Sequence, residues 1–389
     1  MEVHKAYKMR IYPNKEQEQK LLQTIGACRF IYNYYLNLQV NAYFQTGRNL
    51  PYAALATDLT KLRNSDQYPW LKETQAQPLQ QSLRVLDVAY NNFFRGRSQN
   101  PRFKSKKDNR QTFRKAKDWR FLSSKLQIQS DVIVRYRGRE TPNGATCKTL
   151  TISRTATGKW YASIEVTERI EIPAEHIMSI GIDLGLTHLA ITSDGKKYDN
   201  LTLAKKRAKR LKYLQQSLAR KQKDSNRREK AKLELARLHE KIANRRMNYL
   251  HQVSSAITSK NHALIAVEDL GVANMMKNRS LARSIGDVSW SELLRQIEYK
   301  QRWRGGQFVK IERFFPSSKT CSNCLFVNQD MPLSIREWDC PKCGMTHDRD
   351  INAAKNILKQ VEVQLGVEST DGSRKVRVTG STKRGYAHA

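Results

Sequence analysis

Residues 177–185 read IMSIGIDLG and residues 263–271 read ALIAVEDLG, two short and strongly apolar stretches that each lead to an acid shortly before a glycine. Apolar runs of this length are typical of strands buried on both faces of a sheet. Asp183 and Glu268 stand at the carboxyl ends of these predicted strands, where α/β sheets bind their ligands. A third acid, Asp350, stands where a helical pattern begins. We therefore expect an α/β unit with these three carboxylates at the rim of its sheet.

Three carboxylates that are far apart in sequence can converge on one or two divalent cations. Mg²⁺, or Mn²⁺, prefers oxygen ligands and keeps substrate phosphate in its coordination shell. Two ions about 3.5–4 Å apart can activate an attacking water and stabilise the leaving oxygen of a phosphodiester. A single acid after a strand is more often a turn or helix cap, and we expect neighbouring Asp269 and Asp348 to have such structural roles.

The charge of the chain indicates a polyanionic partner. Its 389 residues contain 70 Lys and Arg against 36 Asp and Glu, a formal net charge of +34. That excess favours nucleic acid bound over a long surface. A membrane surface is the alternative, but it calls for one concentrated basic amphipathic helix, whereas these basic residues are spread along the chain.

The N-terminal sequence and hydropathy predict an intracellular protein. The start, MEVHKAYKMRIYPNKEQ, lacks the apolar stretch of a signal peptide, and no apolar run reaches the roughly 18 residues of a spanning helix. We expect a cytoplasmic protein that makes no membrane contact.

A cysteine pattern predicts a zinc site. CSNC and CPKC have the spacing C-x₂-C-x₁₅-C-x₂-C, which is typical of a tetrahedral zinc ribbon. Four thiolates close the coordination shell, so this zinc should be structural. His347 is a possible substitute ligand, but it lies outside both pairs, and we expect four sulfurs. The predicted ligands are Cys321, Cys324, Cys340 and Cys343.

The N-terminal part predicts a strand, then helices, then several strands. Alternation of apolar and polar residues over Tyr7–Tyr12 predicts a strand that Pro13 ends, and Asn14 with Gln17 resembles a helix-capping pair. Helical spacing follows, and it resumes after Trp70. The segments LQIQ, VIVRY, LTIS and WYASIEV then predict a small antiparallel β unit.

Taken together, these motifs resemble the TnpB proteins of bacterial insertion sequences. The resemblance runs from the N-terminal segments to about Ile357 and is most specific in the second half. The segments that carry it are YKMRIYPN, GACRFIYN, GIDLG, AVEDL, FFPSSKTCSNC, CPKCGMTHDRD and RDINAAKNI.

The resemblance implies an RNA-guided DNA endonuclease, similar to the type V CRISPR effectors. Such a protein carries a guide RNA transcribed from the transposon end, recognises a short adjacent DNA motif and cuts both strands. By the same resemblance Asp183, Glu268 and Asp350 match the catalytic triad, with Asp350 rather than Asp348 as its third member.

The resemblance also implies a multidomain α+β fold. A wedge β-barrel with an inserted helical recognition domain precedes a RuvC-like RNase H-fold α/β domain that a zinc ribbon interrupts. We expect a monomer in a ribonucleoprotein, with a flexible basic tail. The expected boundaries are 1–13 and 121–176 for the wedge, 14–120 for the recognition domain, 177–318 and 346–366 for the nuclease domain, 319–345 for the ribbon and 367–389 for the tail.

Several basic, aromatic and amide residues are candidates for nucleic-acid contacts. Lys and Arg would bind phosphate, Phe103 could stack on a base, and Gln80 and Gln81 could bind base edges of the flanking motif. A solvated helix face, or core packing for the aromatics, is the structural alternative for each. The candidates are Arg29, Tyr32, Asn33, Gln80, Gln81, Phe103, Lys104, Lys106, Arg114, Lys115, Lys206, Arg207, Arg210, Arg227 and Arg228.

Two other functions remain alternatives. Transposases of the DDE class order their acids Asp, Asp, Glu, whereas this chain has Asp, Glu, Asp; single-strand transposases need a His-x-His pair, which its 8 His do not provide. The other alternative is a repressor that binds DNA under RNA guidance without cutting. Some TnpB relatives have lost triad acids in this way, and the intact triad argues against that state here.

Overall fold

A computed structural model describes residues 1–108, 111–139, 141, 144–172, 178–313, 315–332 and 334–365. The predicted tail 367–389 and the junction expected at 176–177 lie outside this part of the chain. The contacts divide the protein into two compact units, Glu2–Arg169 and Ile170–Ala389, with Met1 joined to the second.

Seven strands and three α-helices form the first unit within its described residues. The order along the chain is β1 Glu2–Tyr12, α1 Lys15–Thr46, α2 Tyr52–Asn64, a 3₁₀ turn Pro69–Leu71, α3 Ala76–Phe94, β2 Gln111–Lys115, β3 Arg120–Leu122, β4 Lys125–Gln129, β5 Val132–Arg137, β6 Thr146–Arg154 and β7 Trp160–Arg169. The strands lie in the order β2-β6-β7-β1-β5-β4-β3 and all pair antiparallel.

The core of this unit lies between one face of the sheet and the helices. Met9 and Ile11 of β1 are buried with Leu21 and Ile25 of α1. The predicted capping pair at the start of α1 is confirmed, since the Asn14 side chain accepts from the Gln17 amide and the Gln17 side chain accepts from the Asn14 amide.

The sheet includes two strands, β2 and β3, that sequence patterning missed. β2 lies in the stretch expected to belong to the helical insertion (14–120), yet it pairs with β6 from Gln111↔Arg154 to Lys115↔Leu150. In β2, exposed Arg114 lies between buried Phe113 and buried Lys115, and the surrounding basic run obscured this alternation. The insertion between the strands of this sheet therefore ends before residue 111.

The second unit is an α/β layer structure followed by a small cysteine-bearing segment. Its elements are β8 Ser179–Asp183, β9 His188–Thr192, β10 Lys197–Asp199, α4 Leu203–Lys206, α5 Ala208–Ala219, α6 Asn226–Thr258, β11 Leu264–Glu268, α7 Val272–Met275, α8 Arg279–Val288, α9 Trp290–Trp303, β12 Gln307–Ile311, β13 Glu337–Asp339, β14 Thr346–Asp348 and α10 Arg349–Gln364.

Five strands of this unit form one sheet in the order β10-β9-β8-β11-β12. β8, β11 and β12 are parallel, and their carboxyl ends meet at one edge. Leu250, Val253 and Ile257 of α6 pack with apolar residues of α9 in the core on one face, whereas Ile357, Leu358 and Val361 of α10 pack on the other.

A separate two-stranded ladder joins the cysteine-bearing segment to α10. β13 pairs antiparallel with β14 from Glu337↔Asp348 to Asp339↔Thr346. The segment expected to end at residue 345 therefore continues through β14 to the start of α10. No helix of the described residues has the length and hydropathy to cross a membrane.

Candidate active site and structural metal site

The register of β8 and β11 brings two of the predicted carboxylates together. Gly181 lies opposite Ala266, and Ile182 lies opposite Val267. Asp183 and Glu268 are the next residues of the two parallel strands, and neighbouring strands lie roughly 4.8 Å apart. The two acids therefore leave the same edge of the sheet side by side.

Both acids lie on the face of the sheet that α10 covers. Side chains alternate along a strand, so Asp183 shares a face with Gly181, and Glu268 shares a face with Ala266. Ala266 is buried with Ile357 and Leu358 of α10. A Cβ atom built at Gly181 would lie 2.0 Å from the Ala354 carbonyl oxygen, so the missing side chain lets α10 lie directly on β8.

This close packing brings the third acid to the other two. Asp350 lies one helical turn before Ala354, at the N-terminal end of α10. The electrostatics agree with this placement: burial raises the pKa of Asp183 to about 7, with further contributions from the charges of Asp350 and then Glu268. Burial also raises the pKa of Glu268, and the neighbouring Asp269 adds to that shift.

The two acids expected to be structural each have structural partners. Asp348 caps α10 by accepting from the amides of Asp350 and Ile351, and its carboxylate pairs with Lys197 at 2.6 Å. Asp269 accepts from the Arg313 side chain at 2.8 Å.

One site residue was missed by sequence reasoning. Arg336 precedes β13, its carbonyl accepts from the Arg349 amide, and its guanidinium lies 3.4 Å from Asp350. Arg336 is one of many arginines in a basic chain, so the sequence alone does not mark it as a site residue. Its position beside Asp350 follows from the pairing of β13 with β14.

The four predicted cysteines form one cluster. Their sulfur atoms all lie within 4.8 Å of one another, with Cys321 Sγ 3.7 Å from Cys343 Sγ and Cys324 Sγ 3.5 Å from Cys340 Sγ. A tetrahedral zinc with Zn–S bonds of about 2.3 Å requires S–S separations of this size. His347 Nε2 lies 3.0 Å from Cys321 Sγ, where it can hydrogen-bond to a ligand sulfur rather than complete the shell.

Two asparagines of α10 attach the cysteine segment to the helix that covers the five-stranded sheet. Asn352 accepts from the Ser322 amide at 2.8 Å and donates to the Thr320 carbonyl, and Asn356 donates to the carbonyls of Ser317 and Thr320. Both asparagines are buried. The same helix thus orients Asp350 and fixes the first cysteine pair.

Some nucleic-acid candidates of the first unit are exposed, whereas others are buried or have intramolecular partners. Gln80, Phe103, Lys106 and Arg114 are exposed, and Gln81 is half-buried. The structure contradicts the prediction that Lys115 contacts nucleic acid. Its side chain is fully buried and donates to Gln75 and to the Ile128 carbonyl, so it cannot contact nucleic acid in this conformation.

Four more candidates of this unit have intramolecular partners. Arg29 donates to Gln111, and Asn33 bonds the backbone of Lys104 in both directions. Tyr32 is buried to 4% exposure under the Lys104 ammonium, which lies 3.6 Å from its ring centroid. These contacts hold Lys104 and Gln111 against α1, a role that sequence spacing did not predict.

The candidates of the second unit also differ from one another. Lys206, Arg207 and Arg227 are exposed. Arg210 is exposed and pairs with Glu234 of α6, whereas Arg228 donates to the Leu218 and Lys221 carbonyls at the end of α5.

Comparison with known proteins identifies the family. Three family models match: "Cas12f1-like, TNB domain" over residues 290–357, "Probable transposase" over 162–279 and "Helix-turn-helix domain" over 1–48. Within residues 1–48 the structure has β1 and the single helix α1, so the name of the third model does not describe its fold here.

Two bacterial relatives match along most of their length. A "Putative RNA-guided DNA endonuclease" of Streptomyces pristinaespiralis is 38% identical over 92% of this chain and 89% of its own. The "Putative RNA-guided DNA endonuclease InsQ" of Escherichia coli K12 is 37% identical, with 91% of each chain covered. The chain belongs to this family, the TnpB family.

A solved structure supports the fold. The protein chain in "Cryo-EM structure of the Cas12f1-sgRNA-target DNA complex" aligns with a TM-score of 0.56 at 13% identity, over 92% of this chain and 98% of the other. The shared fold therefore has mixed α/β content, and in this chain it includes the four-cysteine cluster.

Proposed function

We propose that this protein is an RNA-guided DNA endonuclease. It binds a guide RNA derived from a transposon end, recognises a short target-adjacent motif and cleaves both DNA strands at a single site, thereby supporting transposon maintenance. The observation that carries the proposal is the convergence of Asp183, Glu268 and Asp350 at one edge of one sheet face.

The donor set fits a hard divalent cation. Three carboxylates supply only oxygen ligands. The pKa of Asp183 is raised by burial first and then by the charges of Asp350 and Glu268, and a bound cation would offset both. When bound, Mg²⁺ would supply an activated water and stabilisation of the leaving oxygen. Asp183, Glu268 and Asp350 would hold it, and Arg336, beside Asp350, is placed to bind a phosphate oxygen of the substrate.

The architecture proposed for this function follows the TnpB pattern. The sheet and helices of Glu2–Arg169 would be the wedge with its inserted recognition helices. The parallel sheet and α10 would be a RuvC-like, RNase H-fold nuclease domain, and the cysteine segment a zinc ribbon with one structural Zn²⁺.

A cavity in the first unit is the proposed site for the flanking motif. It has a volume of about 590 Å³ and is lined by polar side chains of α3 and β2, among them Gln81 and Arg114. Gln pairs with adenine and Arg with guanine in the major groove. Gln80 is exposed one residue earlier on α3.

The remaining proposals concern oligomeric state, localisation and further contacts with nucleic acid. We propose a monomeric ribonucleoprotein in the bacterial cytoplasm, associated with the nucleoid. The exposed cations Lys206, Arg207 and Arg227 would add phosphate contacts.

The test is cleavage by the purified complex. The chain is co-expressed with RNA from its element, purified with the bound RNA, and incubated with Mg²⁺ and plasmids that carry a guide-matched site beside a randomised flank. Sequencing of the ends should show double-strand cuts for one class of flank, and Asp183→Ala should remove cutting but retain RNA.

The alternative functions give different results in the same experiment. Binding without cutting for every flank would identify a repressor. With element-end DNA added to the same mixture as donor, its joining to the plasmid would identify a transposase, the activity named by the model that matches residues 162–279.

A further inference from the structure

The two cysteine loops of the second unit share a backbone conformation but differ at one position. The pairs Cys321–Cys324 and Cys340–Cys343 are each followed by a residue with positive φ, Leu325 at 62° and Gly344 at 69°. In each loop the amide of this residue donates to the carbonyl of the first cysteine, at 3.0 Å from Leu325 and 2.8 Å from Gly344. The two positions are therefore structurally equivalent, and one of them has a leucine in place of glycine.

Glycine is the residue that this conformation favours. In the left-handed region the Cβ of any other residue comes too close to the backbone. A Cβ built at Gly344 would have no atom within 4 Å, so the backbone conformation and not the available space accounts for glycine there. Seven described residues other than glycine have positive φ; six are Asp, Asn, Ser or Thr, and Leu325 is the only apolar one. Leucine is therefore present against the local preference of the backbone.

The side chain of Leu325 does not repay this cost by packing. It is 64% exposed, and it belongs to none of the hydrophobic cores formed by the described residues. The small core of the cysteine segment is built from Met331 and Trp338 with the cysteines, and Phe326 packs against it. The fold of the segment therefore gives no reason for an apolar side chain at position 325.

The surface of the cysteine segment, residues 319–348, is apolar and not basic. Val327, Ile335 and Met345 are exposed on it in addition to Leu325. The segment has three basic and four acidic residues, although the whole chain has a net charge of +34. Binding to a phosphate backbone relies on Lys and Arg. This surface is therefore suited to an uncharged apolar partner rather than to phosphates.

The cysteine segment borders the carboxylate site. The Ser322 amide donates to Asn352, two residues after Asp350 on α10, and the Arg336 guanidinium lies 3.4 Å from Asp350. β14 runs directly into α10. A DNA strand held at the three acids therefore lies beside this segment.

The faces of unpaired bases have the chemistry that this surface lacks a partner for. They are flat, uncharged and apolar, and every base has one, so contact with them is independent of sequence. Leucine and other apolar side chains of DNA-binding proteins insert between base steps as wedges that separate stacked bases. An exposed leucine held rigidly on a zinc-type loop is suited to the same role.

We propose that Leu325 is a wedge that inserts between unpaired bases of the DNA strand held at the carboxylate site. The identity of that strand as a cleavage substrate rests on the proposed function, whereas the insertion itself does not require cutting.

The test compares three variants of the full-length chain, each purified with its RNA. Leu325→Gly removes both the side chain and the backbone strain, and Leu325→Met keeps an apolar side chain. Val363→Ala is the matched control, because Val363 is 78% exposed in the last turn of α10 and has no unusual backbone conformation.

The first readout is base stacking. The probe is a guide-matched DNA duplex with an unpaired segment that contains 2-aminopurine at successive positions, added without Mg²⁺. The fluorescence of 2-aminopurine rises when stacking is lost. At one position or more it should rise with the wild type, Leu325→Met and Val363→Ala, and it should stay low with Leu325→Gly.

The second readout is cleavage of guide-matched DNA with Mg²⁺ under single-turnover conditions. Leu325→Gly should cut about tenfold more slowly, which is the size expected for the loss of one base contact. Leu325→Met and Val363→Ala should stay within about threefold of the wild type.

The third readout separates a wedge from a structural residue. Because glycine relieves the left-handed backbone, Leu325→Gly should melt at the wild-type temperature or above it and should keep its zinc. Activity and stability should therefore change in opposite directions, whereas loss of a structural side chain would lower both.

Three results would overturn the inference. They are equal fluorescence and cleavage in the wild type and Leu325→Gly, a lowered melting temperature or loss of zinc in Leu325→Gly, and self-association of the wild type that Leu325→Gly abolishes, which would assign the leucine to a protein contact. A wild type that raises the fluorescence through Leu325 but cuts no DNA would refute the endonuclease and leave the wedge standing. A Leu325→Gly variant that cuts like the wild type would do the reverse.

Discussion

The cysteine cluster and the carboxylate site both gather side chains suited to a cation, but they are assembled differently. The four cysteines come from two short loops within Cys321–Cys343 and form a closed set of soft ligands. The three acids come from β8, β11 and α10 and, in the proposed function, would form an open set of hard ligands. A closed local set suits stability, whereas an open set leaves room for substrate.

The contrast also concerns dependence on the surrounding fold. The cysteine loops need only each other and a metal ion, while the carboxylates need a strand register, a glycine and a helix end. Substitution of a carboxylate should therefore lower activity, and substitution of a cysteine should lower stability. Changes to the packing that supports the carboxylates should lower both.

The largest expected effect comes from the third acid. Asp350→Asn should lower DNA cleavage on the order of 10³-fold or more, because a ligand of the catalytic cation is lost. RNA binding should not change. Cleavage of labelled target by the purified complex measures the effect.

Asp348→Asn is the matched control for that prediction. It removes the ion pair to Lys197, whereas the Asn side-chain oxygen can still cap α10, so it should lower stability by less than about 1 kcal/mol and leave most of the cleavage rate. The assignment of Asp350 over Asp348 fails if the two effects on cleavage are reversed.

The second effect concerns the cysteine cluster. Cys340→Ser should reduce bound zinc from one per chain to nearly none and lower the melting temperature by several degrees, because a structural metal contributes to folding. Elemental analysis and thermal unfolding measure both changes. Cys147→Ser, outside the cluster, should retain the zinc, and zinc loss in both variants would contradict the assignment.

A smaller effect is expected from the packing of α10. Gly181→Ala places a methyl group against the Ala354 carbonyl and Leu358, which should cost about 1–3 kcal/mol and displace Asp350. The free energy of unfolding and the rate of cleavage should both fall. Gly286→Ala, where the new Cβ would have no atom closer than 3.8 Å, is the control; an equal loss there would mean that close packing is not the cause.

The smallest effect is a dependence on pH. The pKa of Asp183 is raised to about 7, so protons should compete with Mg²⁺ below that pH, and the Mg²⁺ concentration for half-maximal cleavage should fall as pH rises from 6 to 8.

The same raised pKa gives a stability prediction of defined sign. The protonated carboxyl is favoured in the fold, so its contribution is complete below the ordinary Asp pKa and is lost as pH rises through about 7. Without magnesium, Asp183→Asn should melt above the wild type at pH 8 and approach it near pH 4. No difference at pH 8 would contradict the raised pKa.

Much of the fold could be predicted from sequence because its patterns are local. The alternation over Tyr7–Tyr12, the Asn14–Gln17 capping pair and the apolar runs before Asp183 and Glu268 each correspond to an observed element. β2 was missed because its polar alternate residues resemble a solvated basic loop.

Partner choice among charged side chains could not be predicted in the same way. Lys115 and Arg114 are neighbours in a basic run, yet Lys115 is buried on Gln75 and the Ile128 carbonyl, and Arg114 is exposed. Which face of a strand a cation occupies depends on the pairing of distant strands.

The sequence by itself determined the ligand chemistry: four thiolates at fixed spacing, three acids at element ends, and an excess of positive charge. Only the tertiary structure decided the arrangement, because the register Gly181↔Ala266 and the contact of Gly181 with α10 join segments that are distant in the chain. It also decided that Arg336 lies beside Asp350 and that Arg10 lies opposite Arg137. Local spacing fixes which groups a loop presents, whereas long-range packing fixes which groups meet.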